Sequence, residues 1–150
     1  MCGIVGGVTN KDITSLLLEG LQRLEYRGYD SSGLIVLSKN NTFDRARSVG
    51  KVKNLEENLK ARDQKIQGNI GIAHTRWATH GEPSISNAHP HISKNSVSLV
   101  HNGIIENYIN LKNDQLNKGY LFSSETDTEV IAHAIDFAMN SCSTLISSVQ

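Results

Sequence analysis

Cysteine is scarce in this chain, and long apolar runs and an early basic segment are missing. Only Cys2 and Cys142 occur in 150 residues, which argues against a disulfide framework and offers no metal-type cysteine spacing. No apolar run approaches the roughly 18–20 residues that cross a bilayer, and the first lysine is Lys11, so a basic leader segment is absent. These absences predict a soluble, cytoplasmic chain with two free thiols and no membrane partner.

An excess of charge of one sign is missing as well. Lysine and arginine together number 15, aspartate and glutamate also number 15, and the formal net charge is zero. Without a basic field, the composition predicts no nucleic acid partner, and any selectivity for charge must come from individual side chains. The length of 150 residues is typical of one domain with a real core.

Apolar residues recur at spacings that predict both helices and strands, without strict alternation of the two. The predicted strands are Cys2–Val8, Leu34–Leu37, Phe43–Val49, Ile70–His74 and Val97–Val100. The predicted helices run from a cap at Asn10 or Asp12 to Tyr26, over Val52–Leu59, within Ile104–Leu116, and from a Thr126–Glu129 capping box to Met139. The short turn Lys39–Asn41 favours antiparallel pairing of the strands beside it, and the polar stretch Ala78–Asn95 is predicted to be a long functional loop.

What is present begins with Cys2, which follows Met1 and opens the apolar, glycine-bearing run Cys2–Gly7. If Met1 is removed, a thiol with an ordinary pKa of about 8.5 and an α-amine with one of about 7.7–8.0 lie on the same residue. Such a cysteine is a nucleophile that carries its own base and needs no distant histidine. The buried strand predicted after it would hold this terminus in a pocket, whereas the alternative is an incidental cysteine at a frayed end.

The segment His74–Gly81 leaves a predicted buried strand and enters the long loop. Arg76 offers a planar fork of donors that suits a carboxylate, and Thr79 offers a hydroxyl beside it. Trp77 is placed to close over a small ligand. The alternative is structural, with Arg76 paired to a buried acid and Trp77 packed in the core.

Two further segments carry polar groups at the ends of predicted elements. His101–Gly103 follows the last predicted strand, where the Asn102 amide and the next backbone N–H can form a two-donor oxyanion site. Asp127 lies in the first turn of a predicted helix, where an unpaired carboxylate can receive a substrate ammonium group. The alternatives are an ordinary Asn-Gly turn and a carboxylate that the helix dipole favours.

The remaining candidates have stronger structural interpretations. The cluster Arg27–Gly33 is interpreted as a turn with a local Arg–Asp pair. Six histidines invite a metal site, above all at His89 and His91, but no acidic or cysteine partner stands at ligand spacing. We therefore predict no metal, and we expect His133 to pack in a helix and His89 to position the loop.

Taken together, these segments resemble the class II glutamine amidotransferases, which are N-terminal-nucleophile hydrolases. The resemblance runs through nearly the whole chain and is carried by Cys2–Gly6, Leu24–Ser31, Gly71–Glu82, Asn87–His91, His101–Asn107 and Ser124–His133. It implies an α+β fold, namely part of a four-layer αββα sandwich, and no cofactor. One departure is Ser32, where the family usually has alanine, and it touches no implied role.

The resemblance implies catalytic roles for Cys2 and for the pair Asn102 and Gly103. Cys2 would attack the side-chain amide of glutamine, and its freed α-amine would carry the proton. Asn102 and the Gly103 N–H would stabilise the oxyanion, so that a γ-glutamyl thioester forms first, then glutamate and ammonia. The supporting residues would be Arg27, Asp30 and His89.

Substrate binding is implied for the strand-end and helix-start residues. Arg76, helped by Thr79, would hold the α-carboxylate of glutamine. Asp127 with Gly103 would hold its α-ammonium group. The loop that closes over glutamine would carry Trp77 and His80.

The resemblance also bears on the surroundings of this chain. Within the family, the chain most resembles the enzymes whose glutaminase domain supplies ammonia for making glucosamine 6-phosphate from fructose 6-phosphate. Residues 1–150 would then be the N-terminal part of a type 2 glutamine amidotransferase domain, with the rest of that domain and a sugar isomerase outside the chain. Fructose 6-phosphate would bind only through the isomerase, and we expect the complete enzyme to be a homo-oligomer.

Two alternatives stay open at this point. The chain could serve another acceptor, as in amidophosphoribosyltransferases, which share the opening Cys-Gly-Ile and the Asn-Gly pair but differ at Arg27–Asp30 and Thr75–Gly81. It could also be a non-catalytic fragment of a longer enzyme. In that case strands expected after Gln150 are missing, and we expect the 150 residues alone to fold poorly and to turn over little glutamine.

Overall fold

The computed structural model of the chain describes residues 2–142 and 144–149, so the predicted removal of Met1 lies outside the described residues. The strands are β1 (Gly3–Val8), β2 (Ser31–Leu37), β3 (Phe43–Val49), β4 (Ile70–Arg76), β5 (His91–Ser93) and β6 (Val97–Leu99). The α-helices are α1 (Thr14–Leu24), α2 (Val52–Lys60), α3 (Tyr108–Asn117), α4 (Glu129–Met139) and α5 (Leu145–Val149), and a 3-10 turn covers Glu25–Arg27. Among the helices described, none is long and apolar enough to cross a membrane.

Four strands form one antiparallel sheet in the order β1-β4-β2-β3. The hairpin of β2 and β3 confirms the antiparallel pairing predicted from the turn Lys39–Asn41. β2 begins three residues earlier than predicted, because Ser31, Ser32 and Gly33 also pair with β3 on one side and with β4 on the other. These residues have low strand propensity, and their central position in the sheet overrides it.

The helices α1 and α2 cover one face of this sheet with aliphatic side chains. Leu17 and Leu21 recur on one side of α1, Val52 and Leu55 lie in the first turns of α2, and all four are buried. Apolar recurrence at helical spacing is the feature that predicts these contacts. The buried cluster consists of Ile13, Leu17, Leu21, Leu34, Val36, Ala46, Val52, Leu55, Ile66 and Ala73.

The second sheet is a short hairpin of β6, which lies within the predicted strand Val97–Val100, and β5, which lies in the predicted loop. The loop prediction for Ala78–Asn95 is wrong at its end, since β5 pairs antiparallel with β6. Lys94 and Asn95 take positive φ angles of 45° and 56° in the turn between the two strands. A polar strand of three residues carries no periodic signal, which explains the error.

The two sheets lie between two layers of helices. α4 packs on β5 and β6, and α3 packs on α4. The segment just before β5 approaches the first sheet closely at Gly33 in β2, where an added Cβ would lie 2.2 Å from the carbonyl oxygen of His89. Only glycine fits at this contact. The arrangement confirms the predicted α+β fold with αββα layering.

The capping box predicted at the start of α4 is wrong. The Thr126 hydroxyl is hydrogen-bonded to Ser124 and to His91 rather than to the helix. The Glu129 carboxylate accepts hydrogen bonds from the backbone N–H groups of Ser123 and Ser124, at 3.0 and 2.8 Å. Glu129 therefore fixes the segment that leads into α4, and with it the position of that segment above the second sheet.

Candidate active site

A cavity of ≈ 440 Å³ opens where β1 begins and β4 ends. Residues 101–104 and the residues just before α4 form its other walls. The lining residues are Cys2, Arg27, His74, Arg76, Trp77, Thr79, His80, His89, His101, Asn102, Gly103, Ile104, Thr126, Asp127 and Thr128. Every site residue predicted from the sequence lies in this lining except Asp30, so the fold brings together segments that are far apart along the chain.

Cys2 lies at the rim of the first sheet, and its sulfur contacts the end of β4. Gly3 pairs with Thr75, and the Gly3 N–H donates to Thr75 Oγ1 at 3.0 Å. The Trp77 N–H donates to Cys2 Sγ at 3.1 Å. The side chain of Cys2 is half-buried, so the strand pairing holds its thiol at the wall of an open cavity.

The Asn-Gly pair lies next to Cys2. Asn102 Nδ2 donates to the Cys2 carbonyl oxygen at 3.3 Å. Gly103 has a φ of 157°, and a Cβ at this position would lie 2.7 Å from His101 Nε2, so both backbone and space require glycine. A side-chain amide and the backbone N–H of Gly103 therefore stand at the same wall of the cavity as the thiol.

Arg76 ends β4 with a buried guanidinium group. Its Nη atoms donate to the carbonyl oxygens of His80, Gly81 and Glu82, the last two at 3.1 and 3.3 Å. Burial lowers the pKa of Arg76, and the nearby carboxylate of Asp30 opposes that shift. The sequence predicts a fork suited to a carboxylate, and three of the five N–H donors of Arg76 hold the adjacent loop in place.

Asp127 is a buried carboxylate just before α4. Its Oδ2 accepts a hydrogen bond from the Ile105 N–H at 2.6 Å, and His80 Nδ1 lies 4.0 Å from the same oxygen. The His80 ring also packs edge-on against Tyr108. Asp127 thus connects the loop after the Asn-Gly pair to the loop after β4, and it supplies a negative charge in the cavity that contains Arg76.

Asp30 lies behind the cavity and holds the chain where it leaves β4. Its carboxylate accepts hydrogen bonds from the Ala78 N–H and, at 2.9 Å, from the Ser31 hydroxyl.

The Trp77 ring is 55% exposed and lies against Gly28, where a Cβ would come within 2.8 Å of it. The alternative interpretation, with Trp77 packed in the core, is therefore wrong, and the ring stands at the surface, where it lines the cavity with Arg27 and Thr79.

The rings of three buried histidines contact one another at the cavity, and two of them, His74 and His89, line it. The rings of His74 and His89 are parallel within 22° at 4.4 Å between centroids, and His91 meets His89 edge-on at 4.6 Å. Burial lowers the pKa of His74 to about 4 and that of His91 to about 3, and it lowers the pKa of His89 as well. All three rings are therefore neutral at physiological pH.

Sequence reasoning missed some of the residues that line the cavity. His74 was predicted only as the end of a buried strand, yet its Nε2 lies 2.7 Å from Asn102 Oδ1. Thr126 and Thr128 line the wall near Asp127, although the sequence predicts Thr126 only as a helix cap. His133 packs as predicted, with its Nδ1 2.8 Å from Ser93 Oγ. Among the described residues, no group of three His, Cys, Asp or Glu side chains could hold a metal ion.

Comparison with known proteins gives relatives over the whole chain. The family model of the glutamine amidotransferase domain matches residues 51–146. A Pseudomonas putida protein named glutamine–fructose-6-phosphate aminotransferase (isomerizing) is 53% identical over 150 residues, which is 100% of this chain. Proteins of the same name from Acinetobacter baylyi and Buchnera aphidicola are 55% and 56% identical, over 100% and 93% of this chain. The chain spans 23–24% of the length of these relatives.

Two solved structures resemble this fold. One is the glutamine phosphoribosylpyrophosphate amidotransferase of B. subtilis, complexed with ADP and GMP, and the other is described as the allosteric regulatory enzyme of purine biosynthesis. Each has a TM-score of 0.74 and covers 99% of this chain and 31% of its own, at 26% and 27% sequence identity. This likeness confirms the predicted fold class.

Proposed function

The chain belongs to the glutamine amidotransferase family, and from that premise we propose that it hydrolyses the side-chain amide of glutamine with Cys2 as the nucleophile. The observation that carries this proposal is the meeting of Cys2, Asn102 and Gly103 at one wall of the cavity. A thiol beside two N–H donors can attack a carbonyl carbon and stabilise the oxyanion that forms.

The reaction proceeds through a covalent thioester. After removal of Met1, the α-amine of Cys2 takes the thiol proton, and Sγ forms a bond to the amide carbon. The carbonyl oxygen becomes an oxyanion that accepts hydrogen bonds from Asn102 Nδ2 and from the Gly103 N–H. The C–N bond then breaks, the α-amine returns the proton, and ammonia leaves. Water, deprotonated by the same amine, hydrolyses the γ-glutamyl thioester and releases glutamate.

The cavity offers one buried cation and one buried anion for the zwitterionic end of glutamine. The Arg76 guanidinium group binds the α-carboxylate through an N–H donor that does not hold the loop, with the Thr79 hydroxyl beside it. Asp127 and the Gly103 carbonyl bind the α-ammonium group. When these two groups of glutamine are bound in this way, its side-chain amide faces Cys2.

The surrounding residues hold this arrangement. Trp77 and His80 lie on the loop that borders the cavity and cover the bound glutamine. Asp30 fixes the start of that loop through the Ala78 N–H. The supporting roles belong to Arg27, which lines the cavity beside Cys2, and to His89, which stacks beneath His74.

We further propose that the ammonia serves the synthesis of glucosamine 6-phosphate from fructose 6-phosphate. The proposal rests on relatives that are more than 50% identical and are named glutamine–fructose-6-phosphate aminotransferase, against 26–27% identity to the phosphoribosylpyrophosphate amidotransferase structures. Residues 1–150 then form the N-terminal part of a type 2 glutamine amidotransferase domain. The parts that bind the sugar lie outside this chain, in an enzyme proposed to be a homo-oligomer.

Release of glutamate from glutamine tests the proposal. Cys2→Ala should reduce the rate to background, because no covalent intermediate can form. Cys142→Ala is the matched control, because Cys142 lies outside the cavity lining, and it should leave the rate unchanged. Glutamine hydrolysis that persists in Cys2→Ala would overturn the proposal.

Two further variants separate binding from transition-state stabilisation. Arg76→Lys should raise KM, because a point charge replaces the planar fork. Asn102→Ala should lower kcat by about 10²–10³, because one oxyanion donor is lost. A normal KM in Arg76→Lys together with a normal kcat in Asn102→Ala would contradict the assigned roles.

A further inference from the structure

We propose that His74 is a positioning residue, which fixes the Asn102 side-chain amide so that its NH₂ group, and not its oxygen, faces the oxyanion. The inference rests on the proposed function, in which Asn102 is an oxyanion donor. It assigns to His74 a role that acts through Asn102 alone.

The Asn102 amide can take two orientations that differ by exchange of Oδ1 and Nδ2, and only one of them donates into the site. The Cys2 carbonyl oxygen can only accept a hydrogen bond, and it lies 3.3 Å from Asn102 Nδ2. The NH₂ group must therefore face Cys2, and Oδ1 must face away. Oδ1 lies 2.7 Å from His74 Nε2, so that nitrogen has to carry a hydrogen.

The His74 ring is well suited to hold an amide in one orientation. It is 1% exposed and lies in β4, where it pairs with Ile4 on one side and Gly33 on the other. Its flat face stacks on His89 at 4.4 Å. A donor fixed in the middle of a sheet can align an acceptor without motion of its own.

Asn102 itself lacks such support. Its side chain is exposed, and it lies in a segment without regular secondary structure. Without the hydrogen bond from His74, the amide of Asn102 is oriented only by its 3.3 Å hydrogen bond to the Cys2 carbonyl oxygen among the described residues. We therefore expect the amide to rotate between its two orientations when His74 cannot donate, and the oxyanion loses its donor for part of the time.

The tautomer of His74 gives a test that needs no substitution. The ¹⁵N chemical shifts of its ring, measured in the labelled protein at neutral pH, should identify a neutral imidazole with the hydrogen on Nε2. A neutral ring with the hydrogen on Nδ1 would overturn the proposal, since Nε2 could then only accept.

Kinetics of glutamine hydrolysis give the second test. His74→Phe keeps a flat ring on His89 but removes the donor, and it should lower kcat about 10- to 100-fold, less than loss of the Asn102 donor itself, with little change in KM. His74→Gln can donate from its amide and should recover much of the rate. In an Asn102→Ala background, His74→Phe should cause no further loss, because its effect passes through the missing side chain.

The outcomes separate this inference from the proposed function. An inactive wild-type protein, or an active Cys2→Ala variant, would contradict the proposed function and not the role of His74 by itself. An equal loss from His74→Phe with and without Asn102 would contradict the positioning role. If His74→Phe does not fold, His74→Met serves as the variant without a donor, and a kcat equal to that of His74→Gln would overturn the proposal.

Discussion

The two halves of this molecule bury side chains of different chemical character, mainly aliphatic in one and largely polar in the other. Between α1, α2 and the first sheet, the buried side chains are aliphatic, as at Leu17, Leu21 and Leu55. Between the second sheet and α4, the buried side chains include His91, Ser93, Thr126, Glu129 and His133, joined by hydrogen bonds. We call the first group the apolar layer and the second the polar layer.

The difference indicates that one layer mainly stabilises the fold and the other mainly positions the residues of the site. Aliphatic contacts have no direction, so the apolar layer stabilises the fold without fixing the orientation of any one group. Hydrogen bonds between buried polar groups do fix orientation, and they cost free energy when a partner is lost. The polar layer, together with the buried His74 and His89, lies under the walls of the cavity that contain Asn102 and Asp127. We therefore expect the two layers to respond differently to acid and to substitution.

The largest expected effect is the response to acid. Unfolded histidines take up a proton near a pKa of about 6.5, whereas His74 and His91 stay neutral in the folded protein down to about 4 and about 3. Between these values the unfolded state binds more protons, so the free energy of unfolding is highest above pH 6.5 and falls as the pH falls. From pH 7 to pH 5, these two residues together should lower it by about 4 kcal/mol.

Urea unfolding at several pH values measures this slope. His74→Gln should reduce the slope by about one proton per molecule between pH 6.5 and pH 5. A free energy of unfolding that does not change from pH 7 to pH 5 would contradict the assignment of buried neutral histidines.

A large truncation in the apolar layer gives the next effect. Leu21 is fully buried, and Leu21→Ala should lower the free energy of unfolding by about 3 kcal/mol, within the 2–5 kcal/mol range seen for such cavities. The pH slope should stay as in the wild type, and kcat for glutamine hydrolysis should stay within about twofold while the protein is folded. A loss of kcat without loss of stability would show that the apolar layer also positions the site.

A smaller effect on stability is expected in the polar layer, with a larger effect on substrate binding. Glu129→Gln replaces one acceptor oxygen by an NH₂ group that faces the N–H and hydroxyl donors of Ser123 and Ser124. The free energy of unfolding should fall by about 1–3 kcal/mol. KM for glutamine should rise, because the segment that carries Asp127 is released.

The matched control makes the same chemical change at the surface. Glu19 forms an exposed ion pair with Arg23 within α1, and Glu19→Gln should cost less than about 0.5 kcal/mol and leave KM unchanged. If Glu19→Gln and Glu129→Gln had equal effects, burial of the carboxylate would not be the cause.

The apolar layer could be predicted from the sequence because its signal is periodic. Leucines at helical spacing predict α1, alternation over Phe43–Val49 predicts β3 with its observed bounds, and the turn after β2 predicts their pairing. Each of these signals is local and depends only on which face a side chain occupies. The strand that follows Cys2 and the strand that leads to Arg76 could be predicted for the same reason, and with them two of the positions that form the site.

The polar layer could not be predicted in this way. β5 consists of His91, Ile92 and Ser93, whose pattern is also that of a loop, and its burial depends on α4 far along the chain. The prediction of a capping box was wrong because the Glu129 carboxylate accepts hydrogen bonds from Ser123 and Ser124 instead, and residue propensities do not predict these contacts. The hydrogen bond from His74 to Asn102 joins residues 28 positions apart, so it follows from the sheet and not from a motif.

The central claim is that Cys2 forms a covalent bond to the side-chain carbonyl carbon of glutamine, and covalent labelling tests it most directly. The protein is incubated with an electrophilic glutamine analogue, with and without excess glutamine, and the adduct is located by intact mass and peptide mapping. We predict one adduct per chain, on a chain that begins at Cys2, with glutamine protecting against it and Cys142 unmodified. Active protein in which Cys2 is unlabelled, or in which Cys2 and Cys142 are labelled equally, would contradict the claim.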